Sequence, residues 1–273
     1  MRWSIVRPLS SGGNGDLFLG RASNDPTPVV IKFLREAHLP KSRQAFDREV
    51  RLLRRRLAGF VPICDANTMC ERPFYVMPYF DGGTLAQYAG RLTGGQLGWV
   101  AVELARALVT LHASLEAHGD VKPDNILVDR SGKMLVADPL GNGTAITMLF
   151  SRNCGGTPGY MAPEIAAGGN ISQAGDVYSY SATLFHLMTG RRPVGGRAIS
   201  LPTLAYSMVP RVAEAVAAGC QANPAARPTM REMVRILRGE NWAAIRASKR
   251  QSAAALAWAV GLGLAVLAVA DAA

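Results

Sequence analysis

The run His118-Gly119-Asp120-Val121-Lys122-Pro123-Asp124-Asn125-Ile126-Leu127 sets a carboxylate, an ammonium and an amide at fixed spacings in a short loop. Pro123 restricts the backbone there, and Ile126, Leu127 and Val128 lead out of it as an apolar run. Asp120 can accept a proton from an attacking hydroxyl. Lys122 can neutralise charge on a transferring phosphoryl group, and Asn125 can offer its side-chain oxygen to a magnesium ion. Taken alone, the run also reads as a polar turn between two strands, so its neighbours have to decide.

Upstream lies Leu9-Ser10-Ser11-Gly12-Gly13-Asn14-Gly15-Asp16-Leu17-Phe18-Leu19-Gly20. Glycines this close together let a hairpin pass near phosphates, because no Cβ blocks the approach. By itself such a cluster is more often a plain turn. Pro28-Val29-Val30-Ile31-Lys32-Phe33 is an apolar strand with one lysine, and a buried ammonium is costly unless paired. Phe46, Val50, Leu53 and Leu57 recur at steps of four, three and four, the pattern of one apolar helix face. Glu49 falls on that inward face, where a carboxylate needs a cation, so Lys32 is its expected partner. Arg48, Arg51 and Arg55 follow the opposite face, with Arg54 and Arg56 beside them. That face is either solvated or a docking surface for an acidic partner or anionic lipid.

In order and spacing these segments, with those further downstream, resemble a protein kinase of the serine/threonine type over about residues 3 to 238. The resemblance implies ATP and Mg2+ as cofactors and proteins as substrates. It makes Asp120, Lys122 and Asn125 catalytic, and Asn125 and Asp138 the metal ligands. It assigns ATP contacts to Ser10, Gly12, Gly13, Gly15, Leu17, Val30, Lys32, Glu49, Met77, Pro78 and Phe80. Ser10 stands where the first glycine is usual, and Leu17 where valine is usual. Phe74-Tyr75-Val76-Met77-Pro78-Tyr79-Phe80 is similar to the strand and hinge between the kinase lobes, with Met77 as gatekeeper. Pro78 keeps the carbonyl that accepts from the adenine amino group, and Phe80 offers the N–H to the ring nitrogen. Gly155-Gly156-Thr157-Pro158-Gly159-Tyr160-Met161-Ala162-Pro163-Glu164 resembles the end of an activation segment. By that likeness Glu164 pairs with Arg227, and Asp176, opening a helix that runs to about Met188, braces the catalytic loop.

Two departures matter. Asp138-Pro139-Leu140 replaces the usual Asp-Phe-Gly, and proline restricts any flip of that motif. Gly119 replaces the arginine that in many kinases pairs with a phosphate on the activation loop. Phosphate on Thr144, Thr147 or Ser151 then lacks its main acceptor, with Arg152 as a local substitute. Activity is therefore expected to depend little on such phosphorylation, with control from membrane crowding or from a partner on the Arg-rich helix.

The expected fold class is α+β: a β-rich N-lobe (about 1–80) and a mainly helical C-lobe (about 81–240) in one kinase-like domain. The early Val-, Ile- and Phe-rich runs and the helical recurrence of Val100, Leu104, Leu108 and Leu111 agree with this independently. At 273 residues the chain can bury a sizeable core. Cys64, Cys70, Cys154 and Cys220 are too sparse for a disulfide framework, which fits a reducing cytosol. The four histidines lack metal-ligand spacing, and no signal peptide is read at the start. The net charge of +10 comes with no nucleic-acid recognition motif, so no nucleic acid is expected.

Much of that charge is local. Arg227, Arg231, Arg235, Arg238, Arg246, Lys249 and Arg250 face only Glu232 and Glu240 over 227–250. A basic segment, 241–252, then leads into Ala253–Ala270, which holds no charge. As a helix this run rises about 27 Å, close to the hydrocarbon thickness of a bilayer. The cations before it predict a single-pass transmembrane helix at 253–270 with the kinase domain in the cytoplasm. An Ala-rich helix packed on the domain or in an oligomer is the alternative. Two other functions stay open: a small-molecule phosphotransferase of the aminoglycoside-kinase type, favoured by His-Gly-Asp, and a pseudokinase scaffold, favoured by Ser10, Pro139 and Leu140.

Overall fold

A computed structural model describes residues 3–12, 15–140, 159–194, 199–202, 207, 209–248 and 251. The N-lobe is a five-stranded antiparallel sheet of order β1-β2-β3-β5-β4 with one helix on its face. Its elements are β1 (Trp3–Gly12), β2 (Gly15–Ala22), β3 (Asp25–Leu34), α1 (Pro40–Arg54), β4 (Asp65–Asn67) and β5 (Phe74–Pro78). Alternation along the strands sorts the side chains. Val30, Tyr75 and Met77 face α1 and pack with its Phe46, Val50 and Leu53, while Val29, Ile31 and Val76 form the opposite layer. The register sets Lys32 between Leu17 of β2 and Tyr75 of β5.

Pro40 occupies the first turn of α1, where its missing N–H costs nothing. The helix ends at Arg54, and Arg56 turns the chain with φ +52. Leu57, expected on the α1 face, therefore lies beyond the helix and packs with Leu52 against the C-lobe core. Arg51, Arg54, Arg55 and Arg56 are exposed as expected. Arg48 is not a fully solvated residue: it is half-buried, and its Nε is enclosed without a hydrogen-bond partner.

The C-lobe is helical: α2 (Gly94–His112), α3 (Pro163–Ala166), α4 (Gln173–Thr189), α5 (Pro210–Gly219) and α6 (Met230–Leu237). Thr93 and Gln96 close a reciprocal capping box at the start of α2. Val100, Leu104, Leu108 and Leu111 are buried along α2, each contributing about 1.5–3 kcal/mol by burial. Between the lobes, β6 (Ile126–Val128) and β7 (Met134–Val136) form a short hairpin. Val136 N–H donates to Gly59 O at 2.8 Å and its carbonyl accepts from Val61 N–H at 2.9 Å, tying the N-lobe to that hairpin. The two-lobed α+β architecture is thus present. The run 253–270 lies outside the described residues, and among those described no helix is long and apolar enough to cross a membrane.

Candidate active site

The catalytic-loop residues are held from the C-lobe core. Asp176, buried in the first turn of α4 where the helix dipole favours an anion, accepts from His118 N–H at 2.6 Å and Gly119 N–H at 2.8 Å. It also meets His112 Nε2 at 2.9 Å. The bracing role read for Asp176 is therefore seen in its contacts. Asp120 N–H donates to His118 Nδ1 at 3.2 Å, so His118 carries its proton on Nε2, 3.0 Å from Ala137 O. Burial holds this imidazole below its ordinary range against the pull of Asp176 and Asp120, and it stays neutral. Gly119 has φ +82, and a Cβ there would sit 3.1 Å from two carbons of Ile171. An arginine in its place is strained as well as absent.

Residues Pro123–Asn125 form a single 3-10 turn that folds Asn125 back on Asp120. Asp120 Oδ2 accepts from Lys122 Nζ at 2.7 Å and from Asn125 Nδ2 at 2.9 Å. Asn125 Nδ2 also donates to Asp120 O at 2.8 Å. Both bonds use the amide nitrogen, which leaves the amide oxygen for a cation. The three residues first read as a set are thus brought together at one carboxylate oxygen.

The N-lobe contributes the second cluster. Lys32 Nζ is 2.7 Å from Glu49 Oε1 and 2.9 Å from Asp138 Oδ1. The expected Lys32–Glu49 pair is formed, and Asp138 joins it. Burial works against charge on Lys32, but Asp138 and Glu49 outweigh it and the ammonium is held above its usual range. Burial pushes Glu49 up to about 7, with Lys32 opposing. Burial also works upward on Asp138, but there the charge of Lys32 wins and the carboxyl is held below its ordinary value. The partners make the contrast: the charge of Asp138 adds to the rise at Glu49, whereas bonds to Lys32 and Glu49 and the nearby His118 add to the fall at Asp138.

Asp138 takes φ +58, uncommon for a residue with a side chain. The segment around it is pinned on both sides: Ala137 N–H donates to Asn125 O at 2.9 Å and Leu140 N–H to His118 O at 2.7 Å. Pro139 is buried. Asp-Pro-Leu is therefore strapped to the catalytic loop by its flanking residues.

An apolar cluster joins the sheet to the hairpin of β6 and β7. Leu9, Leu17, Val30, Met77, Phe80 and Leu127 belong to one hydrophobic cluster, so the C-lobe supplies its Leu127 side. Pro78 ends β5 opposite Val29, and among the described residues Phe80 N–H has no backbone acceptor. Ser10 is exposed on β1 opposite Leu17, and Gly12 pairs with Gly15 at the hairpin tip. Gly13 lies outside the described residues. Gly15 is required by a close approach: a Cβ would come within 2.6 Å of Phe33 O and 3.1 Å of Lys32 Cγ.

This arrangement fits a nucleotide and a hard divalent cation. The cluster offers apolar side chains to a flat ring, and the stem of Lys32 runs past Gly15 to its carboxylate partners. Among the described residues no three His, Cys, Asp or Glu side chains gather to cage a metal alone. Magnesium needs no such cage, since one or two protein oxygens beside substrate phosphates suffice, and Asn125 and Asp138 offer an amide and a carboxylate oxygen.

At the far side of the C-lobe, Arg227 meets Glu164 through two bonds of 2.6 and 2.8 Å, as expected. Tyr160 OH lies 2.6 Å from His186 Nδ1 and ties the segment that leads to Glu164 to α4. Tyr75, Leu9 and Leu127 stand in the motifs without a role legible from sequence, and only the pairing of strands and lobes shows what they face.

The protein kinase domain family matches residues 3–236. The chain is 32% identical over 220 residues to serine/threonine-protein kinase Pkn1 of Myxococcus xanthus, covering 76% of this chain and 31% of that protein. It is 31% identical over 267 residues to the probable serine/threonine-protein kinase PkwA of Thermomonospora curvata, with 88% and 35% covered. To PrkC of Bacillus subtilis it is 30% identical over 210 residues, with 71% and 31% covered. The chain spans about a third of the length of these curated relatives. With a two-lobed fold, a pinned catalytic loop and a family match over nearly all described residues, the chain belongs to the protein kinase family, in its serine/threonine class.

Proposed function

We propose that this chain transfers the γ-phosphoryl of ATP to serine or threonine hydroxyls of proteins. The observation that carries the reading is Asp120 Oδ2, held at once by Lys122 and Asn125 in a loop strapped to the Lys32–Glu49–Asp138 cluster. Bound ATP with Mg2+ supplies the phosphoryl group and the charge neutralisation it needs. Lys32 binds phosphate oxygens, and Glu49 keeps Lys32 from folding away. Asn125 and Asp138 hold the metal through their side-chain oxygens. Asp120 orients the substrate hydroxyl and accepts its proton at a carboxylate oxygen, while Lys122 covers the γ-phosphoryl oxygens. Catalysis of this kind is mostly positioning and charge stabilisation. Ser10, Gly12, Gly13, Gly15, Leu17, Val30, Met77, Pro78 and Phe80 line the nucleotide site in this reading. Incubation of the purified chain with labelled ATP and generic protein substrates, followed by phosphoamino acid analysis, tests it. Label on serine or threonine is expected; label only on a small-molecule acceptor, or none, contradicts it.

We propose further that the chain is anchored by a single membrane-spanning helix at 253–270 with the kinase domain in the cytoplasm. Its support is the uncharged run itself and the cations that precede it. Two of the basic residues over 227–250 are engaged within the domain: Arg227 pairs with Glu164, and Arg235 with Glu240. Arg231 and Arg238 are exposed, and Lys249 and Arg250 lie outside the described residues. The exposed Arg51, Arg54, Arg55 and Arg56 are the surface on which an acidic partner is proposed to dock.

A further inference from the structure

Tyr75 stands directly across from Lys32 in the β3–β5 ladder and is wholly buried. Its hydroxyl lies 2.7 Å from Glu49 Oε1 and 3.3 Å from Asp138 Oδ1. A phenol has one proton to donate, so it serves one carboxylate at a time, and the shorter contact marks Glu49. The ring packs against Phe46 of α1 with centroids 5.5 Å apart, and Lys32 Nζ sits 5.4 Å from the ring centre. Glu49 Oε1 thus accepts from two donors, Lys32 and Tyr75, on neighbouring strands of one sheet.

We propose that Tyr75 is a positioning residue of this site: its hydroxyl holds Glu49, and with it α1 and Lys32, in the phosphate-binding arrangement. The proposal rests on the kinase reading for the role of Lys32. Lys32 has two carboxylates to serve here and must also serve phosphate oxygens in that reading. Tyr75 binds no phosphate in that reading, and its contact to Glu49 is shorter than its contact to Asp138, so it is the donor that Glu49 keeps when Lys32 turns to phosphate. A buried carboxylate that loses one of its donors is left partly unsatisfied, which costs most where water cannot reach it. Without the hydroxyl, Glu49 is held only by the ammonium that is to be drawn away.

Tyr75→Phe keeps the ring and removes the hydroxyl. In the ligand-free protein, amide exchange over residues 46–53 of α1 is expected to quicken about tenfold. The KM for ATP is expected to rise about tenfold, worth about 1.4 kcal/mol, while the KM for the protein substrate stays unchanged. In a Glu49→Gln background the same substitution adds less than about threefold, because the two groups act as one unit. Unchanged exchange and unchanged KM overturn the proposal. So does faster turnover, which means the hydroxyl restrains Asp138 instead. A Tyr75→Phe chain that fails to fold also overturns it, since the hydroxyl is then structural. If the wild-type protein transfers no phosphoryl group, the kinase reading fails, and the exchange measurement still judges Tyr75.

Discussion

Arg227→Ala is expected to cost a large share of the stability of the domain. The Arg227 side chain is 0% exposed, and its five N–H donors all have partners. Nε donates to Gln221 O at 2.7 Å, Nη1 to Glu164 Oε1 at 2.6 Å and Ala174 O at 2.9 Å, and Nη2 to Glu164 Oε2 at 2.8 Å and Ala222 O at 3.1 Å. Truncation leaves a carboxylate and three carbonyls without these donors. Breaking a fully buried pair from one side costs about 3–5 kcal/mol; Glu164 is 27% exposed, so the lower end, about 3 kcal/mol, is expected, against roughly 5–15 kcal/mol for a whole domain. Urea unfolding measures this as a fall in the midpoint at constant slope.

The dependence on pH gives a second reading of the same pair. Burial works upward on Glu164, but its bonds to Arg227 win and hold the carboxyl below the ordinary value of 4.5. A carboxyl depressed in the folded state contributes stability that is complete above its unfolded value and lost as pH falls through its folded one. The gap between wild type and Arg227→Ala is therefore full above about pH 5 and narrows below about 4.5. A cost under about 1 kcal/mol, or a gap that does not narrow between about pH 5 and 3, refutes the reasoning.

Lys32→Ala removes the one cation that, among the described residues, meets Glu49 and Asp138, and it should abolish autophosphorylation in a labelled-ATP assay while circular dichroism remains near wild type. Deletion of residues 251 to 273 should move the protein from the membrane to the soluble fraction and spare peptide phosphorylation; a full-length protein extracted by salt or alkaline carbonate contradicts the anchor. Phosphatase-treated protein and a Thr144, Thr147, Ser151 triple-alanine variant should each retain turnover within about tenfold of untreated wild type, a barrier change under about 1.4 kcal/mol, because Gly119 has no charge to offer a phosphate.

What the sequence disclosed follows from where its signals lie. Lys32 and Glu49 were legible because charge on an apolar strand or an apolar helix face demands a partner. The buried stripe of α2 was legible because four apolar residues keep helical spacing. The reach of α1 was misjudged by periodicity, which carried on to Leu57. The chain turns at Arg56 in a left-handed conformation that an arginine does not advertise. Tyr75 was hidden because β5 reads as an unbroken apolar run, and alternation alone does not say which face meets α1. The opposition of Lys32 and Tyr75 exists only once β3 and β5 are in register. Leu127 trails a catalytic loop in the sequence and joins the apolar cluster under the N-lobe sheet only when the two lobes pack together. Charge counting places Arg227 among the basic residues near the C-terminus, although it is buried and paired with a half-buried Glu164.

The most direct test of the catalytic assignment is Asp120→Asn, with nucleotide affinity and turnover measured on the same preparation. Asparagine keeps the size of the side chain and an acceptor for Lys122, but it cannot take the proton of an attacking hydroxyl. The account predicts ATP affinity within about threefold of wild type and a fall in phosphoryl transfer of roughly 10²–10⁴. Turnover close to wild type in Asp120→Asn would contradict it.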